Sequence, residues 1–385
     1  MKILVFIGGR ANYSSIKSFI RECNSDSSTE LVIVASHSAT LEKYGTVADS
    51  IELDGFTVAY RLNNLLDGGT LESMARSTGL GILDMTNILS IEQPDYLTIV
   101  GDRFEMMSAV IAAAYLNVRI IHTMGGEITG TVDESIRHAI TKFAHVHFAA
   151  TERARNNILK MGEDERYVFD FGCPRIDLVK EELDWNDSTS IISSYFSDNQ
   201  GVGDRIDLNH DFVLVSLHPV TTEFGSNGKY AEELLSALDS FGMQAIILWP
   251  NSDAGVDVIS REYRKRLNHG GKAKMQFHKN LPINVYIHLM NSCFALLGNS
   301  SSAIREGAFI GVRALNIGSR QNTRENSDNI IHVEPSSDSI VEGLLRIKKD
   351  PVKKPSQLYG RGDTGKRMLK VLKNINPPIQ KVLKY

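Results

Sequence analysis

The sequence predicts an α/β protein built from two Rossmann-like, doubly wound domains facing each other across a cleft. Three observations predict it. Short apolar, β-branched runs alternate with segments of helical periodicity, the pattern of a parallel sheet covered on both faces. The scheme occurs twice, on either side of a stretch at 184–211 rich in Ser, Asp, Asn and Gly. A length of 385 residues exceeds what one ordinary core organises and suits two domains.

Taken in order, the first half places strands at 3–7, 31–35, 96–100, 119–122 and 146–149. Helical periodicity fills 71–91, 104–116 and 133–144 between them. The second half places strands at 212–217, 244–249, 274–277, 293–297 and 313–317, and a final helix at 365–372 runs into Pro377-Pro378. The expected divisions are a first domain at 1–184, a connection at 185–210, a second domain at 211–364, and a last helix with tail at 365–385.

Composition excludes several classes of function. A hydrophobic share of 42% and a charged share of 23% are those of a soluble globular protein. Net charge is −4 and neither half carries a basic stripe, so no nucleic-acid partner is expected. The longest lightly charged run, 106–116, is too short to span a bilayer, so no membrane partner is expected. The opening Met1-Lys2-Ile3-Leu4-Val5-Phe6-Ile7-Gly8-Gly9 reads as a buried strand rather than a signal peptide. Cys23, Cys173 and Cys293 are odd in number and widely spaced, which points to a reduced, cytoplasmic protein.

In doubly wound sheets ligands bind beyond the carboxyl ends of the strands, so the residues there carry the functional information. Gly298-Asn299-Ser300-Ser301-Ser302 follows an apolar run and opens a helix, whose unpaired N–H groups and dipole suit a phosphate. An ordinary N-cap would account for one such Ser, not three after Gly-Asn. Glu306, further along the same expected helix, is placed to hold a sugar hydroxyl, and Arg320 follows the next strand back to the same crevice.

The turn after the first strand, Gly8-Gly9-Arg10-Ala11-Asn12-Tyr13-Ser14, lacks the G-x-G-x-x-G spacing and argues against a dinucleotide. Arg10 there reads equally as a phosphate clamp or a surface charge. Four further polar clusters follow strands: Gly101-Asp102-Arg103-Phe104-Glu105; Gly125-Gly126-Glu127 with Asp133-Glu134; His218-Pro219-Val220-Thr221-Thr222; and Pro250-Asn251-Ser252-Asp253. Carboxylates crowded in one cleft acquire separated pKa values, which splits acid and base roles. His138, His145 and His147 do not converge on a tetrahedral site, so no metal is expected.

Together these clusters resemble the UDP-N-acetylglucosamine 2-epimerases, specifically the hydrolysing branch, over roughly residues 1–335. The resemblance also rests on Ser36-His37, on Ser135-Ile136-Arg137-His138-Ala139-Ile140-Thr141-Lys142 after Asp133-Glu134, on Gly172-Cys173-Pro174, and on Gly318-Ser319-Arg320-Gln321. It implies a glycosyltransferase-B-type pair of domains with the last helix crossing back to the first. It implies catalytic roles for Asp102, Glu127 and His218, with Asp133 or Glu134 joining them. Arg10, Ser14, Arg103, Asn251, Asp253, His278, Ser300, Ser301, Glu306 and Arg320 match substrate-contacting positions.

The implied reaction converts UDP-N-acetylglucosamine and water to UDP and N-acetylmannosamine, for sialic-acid-type nonulosonate synthesis. The same branch acts on UDP-2,4-diacetamido-2,4,6-trideoxy sugars that feed legionaminic acid, and the quoted residues do not separate the two. A non-hydrolysing epimerase, a glycosyltransferase and a UDP-sugar sensor rank below. The only partners implied are the UDP-sugar and UDP, beside a second or further copies of the chain as a homodimer or homotetramer. No cofactor enters the scheme.

Overall fold

The computed structural model describes residues 1–66, 70–129, 132–185, 187–250, 255–279 and 281–384. The chain forms two compact units, Met1–Leu178 with Tyr359–Tyr385, and Val179–Leu358. The first contains β1 (Lys2–Ile7), β2 (Glu30–Ser36), β3 (Val58–Leu62), β4 (Tyr96–Val100), β5 (Arg119–Thr123), β6 (Val146–Ala149) and β7 (Val168–Asp170). They pair in the order β3-β2-β1-β4-β5-β6-β7, all parallel. The second contains β8 (Val202–Gly203), β9 (Phe212–Ser216), β10 (Gln244–Leu248), β11 (Met275–His278), β12 (Ala295–Gly298), β13 (Ala314–Ile317) and β14 (Ile330–Val333). Their order is β14-β13-β12-β9-β10-β11-β8, with only β8 antiparallel. In each unit the order reverses about the first long strand, giving a switch point between β1 and β4 and another between β9 and β12. The two Rossmann-like halves expected from the sequence are present.

The central strands are largely apolar because both faces are covered. Val213 and Val215 of β9 join one buried cluster while Phe212 and Leu214 join another, as a period of two requires. In the first unit Leu4 and Phe6 pack with Met85, Leu89, Met106 and Val110 from the Leu71–Glu92 and Phe104–Tyr115 helices. Among the described residues no helix is long and apolar enough to cross a membrane.

Three features depart from the sequence reading. The stretch expected as a connection carries a helix, Ser188–Asp198, and edge strand β8. Ile191, Ile192, Tyr195 and Phe196 recur at helical spacing and pack on Val285 and Leu289, a pattern that the polar composition of the stretch conceals. The boundary between the units falls at 178/179, inside the Pro174–Trp185 helix. Strands β3, β7, β8 and β14 are edge or near-edge strands with little buried apolar surface, so they escape a reading tuned to apolar runs.

The last helix, Thr364–Leu372, packs in the first unit against the Lys17–Ser25 helix. Gly365 makes the approach close: a Cβ there would lie 2.8 Å from Phe19 N. Asp177 anchors its first turn, accepting from Thr364 N at 3.0 Å, Gly365 N at 2.8 Å and the Ser18 hydroxyl at 2.8 Å. Burial raises the Asp177 pKa in spite of those bonds. Asp177→Ala strands two helix N–H groups in a buried place and should cost about 1–3 kcal/mol. The check is a lower urea midpoint with an unchanged m value.

Candidate functional site

At the first switch point Gly8 follows β1 and lies against the side chain of Glu105. A Cβ at Gly8 would lie 2.8 Å from Glu105 Oε1 and 2.8 Å from Met106 Cε, so only glycine fits. Glu105 is 1% exposed and Arg103, just before the Phe104–Tyr115 helix, folds back to donate to its Oε1 at 3.0 Å. Asn12 donates to Val100 O at 3.1 Å and ties the turn after β1 to the end of β4. Arg10 is exposed at the start of the Arg10–Ser14 helix, and the Ser14 hydroxyl donates back to Arg10 O at 2.9 Å.

The decisive residue of this unit is Arg137, on the Val132–Phe143 helix and only 1% exposed. Its Nη2 is bonded to Asp102 Oδ2, at the end of β4. Its Nη1 donates to Glu127 O at 2.6 Å, and both nitrogens reach Thr129 Oγ1 at 3.3 Å. Glu134, one turn earlier, accepts from Thr129 N at 2.7 Å and lies 3.5 Å from His138 Nε2. One guanidinium thus fixes Asp102 and the Glu127–Thr129 loop, with Asp133 and Glu134 on the same helix. Glu127 is 7% exposed and Asp102 is half-buried.

His122 underpins the same corner. Its Nε2 donates to Gly101 O at 2.8 Å and its Nδ1 faces Thr141 Oγ1 at 3.2 Å. Full burial pushes its pKa down to about 3, so the ring stays neutral.

In the second unit Gly298 ends β12 at φ 131°, where any Cβ would strike Ser216 O. Asn299 follows and joins three strand ends. Its Oδ1 accepts from His218 N at 2.7 Å and its Nδ2 donates to His218 O at 2.9 Å, beyond β9. Its carbonyl accepts from Arg320 Nη1 at 3.2 Å and Gln321 Nε2 at 3.1 Å, beyond β13. Arg320 therefore returns to the turn after β12. His218 Nε2 lies 3.2 Å from Ser216 Oγ.

Ser300 caps the next turn through Ser302 N, and the Ser302 hydroxyl points inward to Tyr286 at 2.7 Å, leaving Ser300 and Ser301 half-buried. The single helix expected here is broken at Arg305 into Ser301–Ile304 and Glu306–Ile310. The break lets Gly307 approach the sheet, with a Cβ there 3.1 Å from Leu296 Cδ1, and buries Glu306 to 1% exposure.

His278, at the end of β11, is buried with its ring 5.1 Å from Phe196, edge to face, and 6.4 Å from Tyr195. Burial lowers its pKa. Asn251 and Asp253 lie outside the described residues. Of the histidines weighed as metal ligands, His145 accepts from Ile120 N and donates to Ile379 O, while His147 lies 3.3 Å from Glu163. No group of three or more His, Cys, Asp or Glu among the described residues is placed to hold a metal ion.

Arg137, Asn299, Glu105 and Gln321 all stand in the sequence motifs and His122 ends an expected strand, yet nothing local marks any of them as an organising residue. Only the i, i+3 and i, i+4 spacing of Arg137 to Glu134 and Asp133 signalled a shared helix face.

A family profile described as UDP-N-acetylglucosamine 2-epimerase matches residues 21–373. The chain belongs to this epimerase family. It is 34% identical to the hydrolysing UDP-N,N'-diacetylbacillosamine 2-epimerase of Legionella pneumophila, over 97% of this chain and 96% of that protein. It is 26% identical to the UDP-N-acetylglucosamine 2-epimerase of Neisseria meningitidis, over 98% and 95%. Among solved structures, the Neisseria meningitidis enzyme bound to UDP-GlcNAc superposes with a TM-score of 0.84 at 18% identity, covering 97% of this chain and all of that one. The Methanocaldococcus jannaschii enzyme with UDP-GlcNAc and UDP gives 0.80 at 18% identity, over 97% of this chain and 100% of its own.

Two outcomes follow from this epimerase-family geometry. Asn299→Ala removes both side-chain bonds to residue 218 and should destabilise the protein by about 1–3 kcal/mol, seen as a lower midpoint in urea unfolding. The His122 linkage has a definite sign. Its folded pKa of about 3 lies below the usual value near 6.5, so between those pH values the unfolded chain binds more protons. Stability should therefore fall as pH drops from about 6.5 towards 3, and His122→Gln should flatten that slope in thermal melts at pH 7, 6 and 5.

Proposed function

We propose that the chain is a hydrolysing 2-epimerase of a UDP-2-acetamido sugar, releasing UDP and the free sugar inverted at C2. The observation that carries this reading is the buried Arg137, which fixes Asp102 and the Glu127 loop beside each other. A glycoside's C2 proton is not acidic, so a carboxylate cannot remove it directly. Ionisation of the C1–O bond comes first: the electron pair leaves with UDP, and the resulting oxocarbenium ion makes C2–H acidic.

Arg320 and the Ser300–Ser301 turn are assigned to the charge gathering on the diphosphate. Glu127 and Asp102 share the work at the sugar, one stabilising the cation and the other taking the C2 proton to leave a 2-acetamidoglycal. Water then adds across the double bond, its oxygen to C1 and a proton to C2 on the opposite face. His218 suits that acid–base step. Arg10, Ser14, Arg103, Asn251, Asp253, His278 and Glu306 are proposed substrate contacts, with Asp133 or Glu134 completing the carboxylate set.

UDP-N-acetylglucosamine, giving N-acetylmannosamine for nonulosonate synthesis, is the first substrate proposed. A second reading, the 2,4-diacetamido-2,4,6-trideoxy sugar, is favoured by the 34% identity to the Legionella protein and the 29% identity to a GDP/UDP-N,N'-diacetylbacillosamine 2-epimerase of Campylobacter jejuni. Parallel assays with both UDP-sugars separate them by kcat/KM.

Run in heavy water and followed by NMR, the reaction should give UDP and a free sugar deuterated at C2. Product that keeps its C2 hydrogen contradicts the elimination. Asp102→Asn and Glu127→Gln should spare UDP affinity and cut turnover roughly a hundredfold or more, whereas Arg320→Ala should chiefly weaken UDP binding.

A further inference from the structure

A second constellation of catalytic side chains lies wholly within the second unit and takes no part in the epimerase reading. His288, on the Ile283–Ser292 helix, is 0% exposed. Its Nδ1 lies 2.8 Å from Ser188 Oγ and its Nε2 lies 3.1 Å from Glu182 Oε1. A carboxylate only accepts, so in the neutral ring Nε2 carries the hydrogen and Nδ1 is left as the acceptor for the Ser188 hydroxyl. This is the order of a hydroxyl nucleophile, an imidazole base and an orienting carboxylate, with both spacings inside the range such triads use.

Two further groups complete the pattern. Asn291 Nδ2 donates to Ser188 Oγ at 3.2 Å. Lys353 Nζ grips Asn291 from behind, donating to its Oδ1 at 2.6 Å and its carbonyl at 2.7 Å, which aims the amide at the serine. That amide bond fixes the rotamer of the Ser188 hydroxyl and leaves its proton directed at His288 Nδ1. Ser188 is half-buried at the start of the Ser188–Asp198 helix. Trp185, three residues before it, is 82% exposed, and Val352, next to Lys353, is 66% exposed.

We propose that Ser188, His288 and Glu182 form a second active site, an acyl-transfer centre that hydrolyses small carboxylic esters. Ser188 Oγ attacks the ester carbonyl, forming the Oγ–C bond, and its proton passes to His288 Nδ1. Collapse breaks the ester C–O bond, and the alkoxide leaves with that proton. Water then attacks the acyl-serine with His288 as base, and the proton returned to Oγ releases the carboxylic acid.

The test treats the full chain with a fluorophosphonate and with p-nitrophenyl acetate, and maps the labelled peptide by mass spectrometry. Expected are phosphonylation at Ser188 and ester hydrolysis that falls at least roughly a hundredfold in Ser188→Ala and in His288→Gln. Ser188→Ala should leave UDP-sugar turnover unchanged, which separates this centre from the epimerase site and shows that the variant is folded. Wild-type protein unlabelled at Ser188, or ester hydrolysis equal in Ser188→Ala, overturns the proposal.

Discussion

The guanidinium of Arg137 is the constraint on which the order of the first unit's polar corner depends. A buried cation must be paired and hydrogen-bonded or it destabilises the fold. Here the pairing is spread over Asp102 at the end of β4 and the Glu127–Thr129 loop after β5. Neighbouring parallel strands fix each other's backbones only as far as the ladder runs, and the loops beyond would otherwise be free. Arg137 extends the order of the sheet into those loops. The neutral His122 does the same from below, holding Gly101 O.

The second unit solves the same problem with an uncharged amide. Asn299 pairs with both backbone groups of His218 and offers its own carbonyl to Arg320 and Gln321, so the ends of β9, β12 and β13 meet at one residue. Gly298 makes this approach feasible, because any side chain there would meet Ser216 O. The choice of residue fits its neighbours: the carboxylate of Asp102 calls for a cation to organise it, while the backbone groups of His218 are matched by a neutral amide.

Much of this was legible in the sequence, for physical reasons. Strands buried on both faces read as apolar runs, so β4 and β6 fall where expected to the residue, and most other central strands lie within a residue or two. The edge strands β3, β8 and β14 bury too little to show, and the Ser188–Asp198 helix hides its apolar face among serines. Polar clusters after strands are visible because they interrupt apolar runs. Which member of each cluster organises the rest was not visible, since Arg137 and Asn299 differ from solvated residues only through contacts distant in sequence. The break at Arg305 was equally hidden, because it depends on how closely Gly307 approaches Leu296.

Whether Arg137 and Asp102 act as one unit is measured directly by a double-mutant cycle on turnover. Arg137→Met, Asp102→Asn and the double variant would be compared by kcat with a UDP-2-acetamido sugar at saturation. If Arg137 works by holding Asp102 and the Glu127 loop in place, the double variant should be little slower than the worse single one. Losses that multiply, with no coupling between the two positions, would contradict it.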